Sequence, residues 1–220
     1  MSHLDRVFDL MDKWRHFPAY QLERRSDVLF AAYLPEVLQE FFGLEISALI
    51  PEFPVHIRTI DPADDTNRSL KIDYLAIDNE TGLAALVEFK TDMASRRAKQ
   101  DWYLERAQEV GLARLLEGLR SIYQATNQKG KYRVLLNELE AAGLIRWISE
   151  HEFVPTEAEY EIKIYYLQPM RGDEAKPVIS FDDVAEVVSS HDDELSRRFA
   201  QSLKEWAEVE PGKPRRTSQR

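Results

Sequence analysis

The chain has 220 residues, 44% hydrophobic and 31% charged, with 8 Gly and 10 Pro, the composition of an ordinary globular protein of one domain with extensions. Its 39 acidic side chains outnumber 29 basic ones, a formal net charge of −10, which argues against a general coat for polyanions because such binding needs Lys and Arg to displace counterions. Cysteine is absent, excluding disulfide scaffolds, cysteine zinc sites, iron–sulfur clusters and thiol catalysis, and neither a signal-peptide core nor a membrane-length apolar run is present, so a cytoplasmic location with no membrane partner is expected.

From the N-terminus, Leu4, Val7, Phe8, Met11 and Trp14 recur at three- and four-residue spacing and predict a short amphipathic helix. A second helix is expected from about Glu23 to Phe42, kinked or split at Pro35 and stopped by Gly43. Strand patterning follows: Val55 to Ile60 behind Pro54, then Ile72 to Ile77, the turn Asn79-Glu80-Thr81-Gly82, and the apolar run Leu83 to Phe89. From roughly Asp92 to Ala125 the period is helical again, with Gly111 and Gly118 interrupting it, and Tyr132 to Ala142 predicts a shorter helix. Tyr160 to Leu167 reads as a strand. Ser180-Phe181-Asp182-Asp183 and Ser190-His191-Asp192-Asp193 resemble helix caps, and Leu195, Phe199, Leu203 and Trp206 mark a closing helix that docks on the domain or on the sister subunit of a homodimer. The predicted organisation is one α/β domain over 1–210, with its core about 22–168, a helical extension about 180–208, and a disordered basic tail 211–220.

Chemistry concentrates at the hairpin. A four-residue turn over Asn79 to Gly82 pairs residues whose numbers sum to 161, which sets Asp73 opposite Glu88. Two carboxylates at cross-strand distance repel unless a cation lies between them. Lys90 follows two residues after Glu88 on the same face, while Ile72, Tyr74, Ala76, Val87 and Phe89 are expected to share the opposite, apolar face. Hard oxygen ligands of this kind, with positions left for water and phosphate, suit a divalent cation. The alternative is that Asp73 and Glu88 are solvated strand-edge acids with Lys90 as their surface counter-ion. Glu161-Ile162-Lys163 and Glu174-Ala175-Lys176 repeat the acid-x-Lys spacing but lack a partnered acid, so they read as surface charge.

Lys71-Ile72-Asp73-Tyr74-Leu75-Ala76-Ile77 and, fifteen positions from Asp73, Val87-Glu88-Phe89-Lys90-Thr91 resemble the PD-(D/E)xK phosphodiesterase superfamily, with Ile72 in place of the eponymous proline. The resemblance covers about Leu22 to Leu167. It implies a restriction-endonuclease-like core in the order helix, three strands, helix, strand, with accessory N- and C-terminal helices. It further implies a nuclease that hydrolyses DNA phosphodiester bonds by metal-activated water, leaving 5′-phosphate and 3′-hydroxyl ends. In that reading Asp73, Glu88 and the backbone carbonyl of Phe89 ligate Mg²⁺ (or Mn²⁺), and Lys90 orients or helps deprotonate the water. A glutamate from the preceding helix, Glu23 or Glu36, joins the site, as does Gln100 from the following helix.

Arg96, Arg97 and Lys99 are candidates for holding DNA phosphates beside this site, with Trp102 assigned to the core rather than to base stacking. Lys129, Lys131 and Arg133 read as a solvated basic loop. The five histidines show no paired metal spacing, and no Gly-rich phosphate loop occurs. Charge is unevenly distributed: residues 87–133 carry 10 basic and 6 acidic groups, whereas 134–210 carry 7 and 18. The chain is thus locally basic around the proposed site. A non-catalytic DNA- or protein-binding module on the same fold is the alternative reading.

Overall fold

The computed structural model describes residues 2–66, 68–92, 97–172 and 176–208. Arg96, Glu174, Ala175 and the basic tail lie outside the described residues.

Helix α1 (His3–Trp14) starts from a reciprocal cap: the Asp5 amide donates to Ser2 Oγ at 3.1 Å and the Ser2 amide to the Asp5 carboxylate at 2.9 Å. Helix α2 (Leu22–Phe42) runs unbroken through Pro35 and stops at Gly43, whose φ of +68° costs a glycine nothing. Strand β1 (Ala48–His56) precedes the single turn α3 (Ile57–Ile60), so the strand expected over Val55 to Ile60 is displaced towards the N-terminus. Pro51 and Pro54 belong to β1 and are tolerated because it is an edge strand, where a missing N–H costs no ladder bond on the open side.

Strands β2 (Ser69–Asp78) and β3 (Leu83–Phe89) form the expected hairpin with the expected register, Asp78 facing Leu83 and Tyr74 facing Val87. Buried Asp78 stabilises the turn by accepting from the amides of Glu80 and Thr81 at 2.9 and 3.1 Å. The long helical segment is two helices, α4 (Ala98–Val110) and α5 (Leu112–Ala125), broken at Gly111 with φ +80°. Helix α6 (Lys129–Ala141) follows, so Lys129, Lys131 and Arg133 open a helix rather than a loop. A small hairpin of β4 (Ile145–Ser149) and β5 (Glu152–Pro155) was not expected from the pattern. Strand β6 (Glu161–Gln168), the three-residue β7 (Val178–Ser180), α7 (Phe181–Val188) and α8 (Glu194–Ala207) complete the chain, the last two capped by Ser180 and by Asp193 rather than Ser190.

The main sheet has the order β1-β2-β3-β6-β7, antiparallel from β1 to β3 and parallel from β3 to β7. The result is mixed α/β, with helices on both faces of a five-stranded mixed sheet. One face packs Tyr74, Ala76, Val87 and Phe89 against α1, α2, α7 and α8. The other packs Leu75, Ile77, Ala84 and Leu86 against α4, α5 and α6. Both faces are therefore apolar, and Ile72 belongs to the second rather than sharing the face of Tyr74 and Ala76.

Alternation breaks at one place. Pro51 pairs with Tyr74 and Phe53 with Ile72, but no pair joins Glu52 to Asp73, and Glu52 has φ +53°. A non-glycine residue in that region costs about 1–3 kcal/mol and persists only where the surroundings impose it. The strands turn over here, so Ile72 and Leu75 face the same core. Phe30 of α2 anchors the helix layer to the neighbouring strand, with its ring 4.4 Å from Phe89, 5.2 Å from Phe181 and 5.3 Å from Phe199. Such ring pairs contribute about 0.5–1.5 kcal/mol each beyond buried area. Glu23, two turns before Phe30 on the same helical face, is carried to the same end of β3.

Candidate active site

The β2–β3 ladder ends at Tyr74 and Val87, one step short of the expected Asp73–Glu88 pair. Beyond it the Phe89 amide has no partner on the β2 backbone, and the Asp73 carboxylate accepts its hydrogen bond at 2.7 Å. On its other side β3 stays attached, since the Lys90 amide donates to Leu167 O at 2.8 Å. The hairpin thus opens into a wedge beside Asp73, Glu88 and Lys90.

Lys90 Nζ sits in the middle of it. It donates to the Glu88 carboxylate and, at 2.7 Å, to the carbonyl of Phe89. Asp73 lies 3.7 Å from the ammonium and Glu23 3.9 Å. Gln100, from the first turn of α4, donates its side-chain amide to the same Glu88 oxygen. Glu88 is 2% exposed and Lys90 6%. They are not solvated edge charges, which removes the bland alternative for these two residues.

Three carboxylates against one ammonium leave the cluster with an excess of negative charge in a poorly solvated place. Burial, then the charge of Asp73, pushes the Glu88 carboxyl up to about 8 against the pull of Lys90. Glu23 is also raised, by burial first, with Lys90 opposing and Asp73 reinforcing. Burial pulls Lys90 down, but Glu88, Asp73 and Glu23 together more than offset it, and its pKa ends above the ordinary value. Lys90 therefore remains an ammonium at neutral pH. The cluster is short of positive charge.

No family model, curated protein or solved structure matches the chain. The reading of this site rests on its own chemistry.

Among the described residues no three Asp, Glu or His side chains gather closely enough to hold a metal ion by themselves. The donor set around Lys90 is nevertheless uniformly hard oxygen: Asp73 and Glu88 carboxylates, the Phe89 carbonyl, and Glu23 at the margin. Mg²⁺ binds through one or two carboxylates and keeps its remaining positions for water and phosphate, so this sparse set fits it.

Other expected residues divide clearly. Glu36 is on the far part of α2 and pairs with His191 at 2.7 Å, so it is not the upstream acid; Glu23 is the one brought to the cluster. Arg97 caps α4 and Lys99 lies one residue into it, both exposed and both lining a recess beside Glu88. Trp102 is 40% exposed rather than a core residue. Glu161 and Lys163 form an exposed pair at 3.8 Å at the opposite end of the sheet. Lys71 was not singled out by the pattern, yet it lines the recesses on both sides of the wedge. Its place two residues before Asp73 on β2 is its only sequence signal.

Proposed function

We propose that the chain is a metal-dependent nuclease of the PD-(D/E)xK type, with a restriction-endonuclease-like core formed by α2, β1–β3, α4 and β6. The observation that carries the proposal is the convergence of Asp73, Glu88, Lys90 and the Phe89 carbonyl at the opened end of one hairpin, with Glu23 and Gln100 beside them. Substrate is DNA, and Mg²⁺ or Mn²⁺ would be held by Asp73, Glu88 and Phe89 O. When bound, the cation supplies Lewis acidity and charge neutralisation at a phosphoryl oxygen. Lys90, freed from its central position, donates towards the attacking water or a phosphate oxygen and places a fixed positive charge where negative charge develops. As an ammonium it orients and stabilises rather than abstracts a proton. Gln100 donates to the Glu88 carboxylate and fixes its orientation. Attack of water on phosphorus forms the new P–O bond and breaks the P–O3′ bond; the attacking water gives up a proton to bulk solvent, and the departing oxygen becomes the 3′-hydroxyl on taking one from solvent. The locally basic stretch 87–133 supplies phosphate contacts within an otherwise acidic chain.

One observation favours a second reading: the Lys90 ammonium itself sits among the acids and partly offsets their charge, as it would in a binding module without chemistry. The two readings separate in one experiment. Cleavage of a panel of labelled DNA substrates should require Mg²⁺ or Mn²⁺ and fall at least about 100-fold in Asp73→Ala, Glu88→Ala and Lys90→Ala. Calorimetric titration with Mn²⁺ should show a site that Asp73→Ala abolishes. Equal activity in the three variants, or no Asp73-dependent Mn²⁺ site, sinks the nuclease assignment.

A further inference from the structure

Two recesses flank the wedge, and they differ in chemistry. The smaller, about 190 Å³, is walled by Glu23, Asp27, Glu52 and Asp73, against Arg24 and Lys71. Its four carboxylates against two cations make that side the less favourable one for the flanking phosphates of a nucleic-acid chain. The larger, about 320 Å³, opens directly on Glu88 and Gln100. Leu70, Ile72 and Leu104 form its apolar walls, with Tyr103 as an aromatic one, and Lys71, Arg97 and Lys99 stand around it.

Apolar and aromatic walls, a polar floor and three cations describe a receptor for something flat, weakly polar and attached to an anion. We infer that this recess is a nucleotide subsite that seats one unpaired base against Tyr103 while Lys71, Arg97 and Lys99 hold the adjoining phosphates, so that the substrate is single-stranded nucleic acid. The inference deepens the nuclease reading and rests on it for its placement next to the reacting phosphate. Its volume lies at the lower end of the roughly 300–1,000 Å³ range of small-ligand sites, suited to a single ring system and not to a base pair. A base in duplex must be unpaired and unstacked before it can enter, at a cost of a few kcal/mol, whereas a single strand offers it freely. Tyr103 is suited to that role because its ring lies at the surface of the α4–α5 core, 5.2 Å from the exposed Trp102 ring and 5.4 Å from Lys99 Nζ. Stacking of a base on such a ring is worth about 1–3 kcal/mol and tolerates any sequence.

The test is a binding measurement, separate from cleavage. Fluorescence anisotropy of the Asp73→Ala chain, at one fixed salt concentration, compares a labelled single-stranded DNA oligonucleotide with the blunt duplex of the same sequence. The single strand should bind at least about tenfold more tightly. Tyr103→Leu, which keeps apolar packing and removes the ring, should erase that preference while leaving Mn²⁺ affinity of the otherwise wild-type chain unchanged. Duplex binding as tight as single-strand binding, or a preference untouched by Tyr103→Leu, overturns the subsite. Loss of Asp73-dependent cleavage on every substrate, with the single-strand preference intact, instead overturns the nuclease reading and leaves the subsite standing as that of a binding module.

Discussion

Glu88→Gln tests the charge imbalance of the wedge most directly. Glu88 is 2% exposed, and burial together with Asp73 lifts its carboxyl from an ordinary 4.5 to about 8. The folded chain therefore holds a proton there that the unfolded chain releases. The stability contributed by protonated Glu88 is fully present below about pH 4.5 and is lost as pH rises through about 8. Between those limits stability falls as pH rises, so near pH 7 the wild-type chain is less stable than one with a neutral group at this position, by an amount on the order of 1–3 kcal/mol. Glutamine is such a group. Its carbonyl accepts from Lys90 and Gln100 as the Glu88 oxygen does, and its amide can donate towards Asp73. In EDTA, Glu88→Gln should melt about 5–10 °C above wild type at pH 7.5, with the gap closing towards pH 5, as followed by scanning calorimetry across pH 5–9. If Asp73 and Glu88 hold a cation as proposed, Mg²⁺ should reverse the order by raising the melting temperature of wild type alone, because Glu88→Gln removes a carboxylate ligand. A variant less stable than wild type at every pH in EDTA would refute the reasoning, since Glu88–Lys90 would then be a favourable structural ion pair.

Lys90→Met leaves Glu23, Asp73 and Glu88 without their shared cation, and should destabilise the metal-free chain by about 3–5 kcal/mol in urea denaturation at pH 7.5, with substantial recovery in Mn²⁺. Gly118→Ala places a Cβ 2.2 Å from Thr59 Oγ1 and 3.2 Å from His56 Cβ, so the α3–α5 contact must give; a loss of about 1–3 kcal/mol is expected by thermal melting. Asp12 accepts from Arg198 at 2.6 Å and from Trp206 Nε1 at 2.7 Å, and Asp12→Ala should unfasten α1 from α8 at a cost of about 2–4 kcal/mol, read as faster hydrogen exchange in α8. Glu36→Ala, remote from the wedge, should change cleavage by less than about twofold while removing the contact to His191.

Much of the candidate site was legible because a turn of fixed length sets the register of a hairpin. Gly82 and the Asx-type contacts of Asp78 determined where Asp73 and Glu88 would meet, and Lys90 followed from strand spacing. What a two-residue period could not foresee was the break at Glu52, which moves Ile72 to the other core and makes Asp73 an acceptor for Phe89 instead of a paired neighbour. Strand β1 is expected too late in the chain because Pro54 reads as its boundary, whereas at a sheet edge a proline can sit inside the strand. The β4–β5 hairpin was missed because its strands are only five and four residues long, too short for alternation to stand out. Glu23 and Glu36 were indistinguishable as helical acids; the Phe30–Phe89 contact, a tertiary fact, decides between them.

The backbone of Phe89 is held on both sides of its Cα by side chains: Asp73 accepts from its amide and Lys90 donates to its carbonyl oxygen. It behaves as a strut whose tilt is set by two residues on different segments. On the proposed function, removing the Asp73 carboxylate does two things at once: it deletes one proposed oxygen ligand and frees the backbone segment that aims the Phe89 carbonyl. Asp73→Asn, whose side-chain carbonyl can still receive the amide, separates the charge of Asp73 from its grip on the strut. A difference between the Asn and Ala variants would measure how much of the site's order resides in the backbone of this one residue.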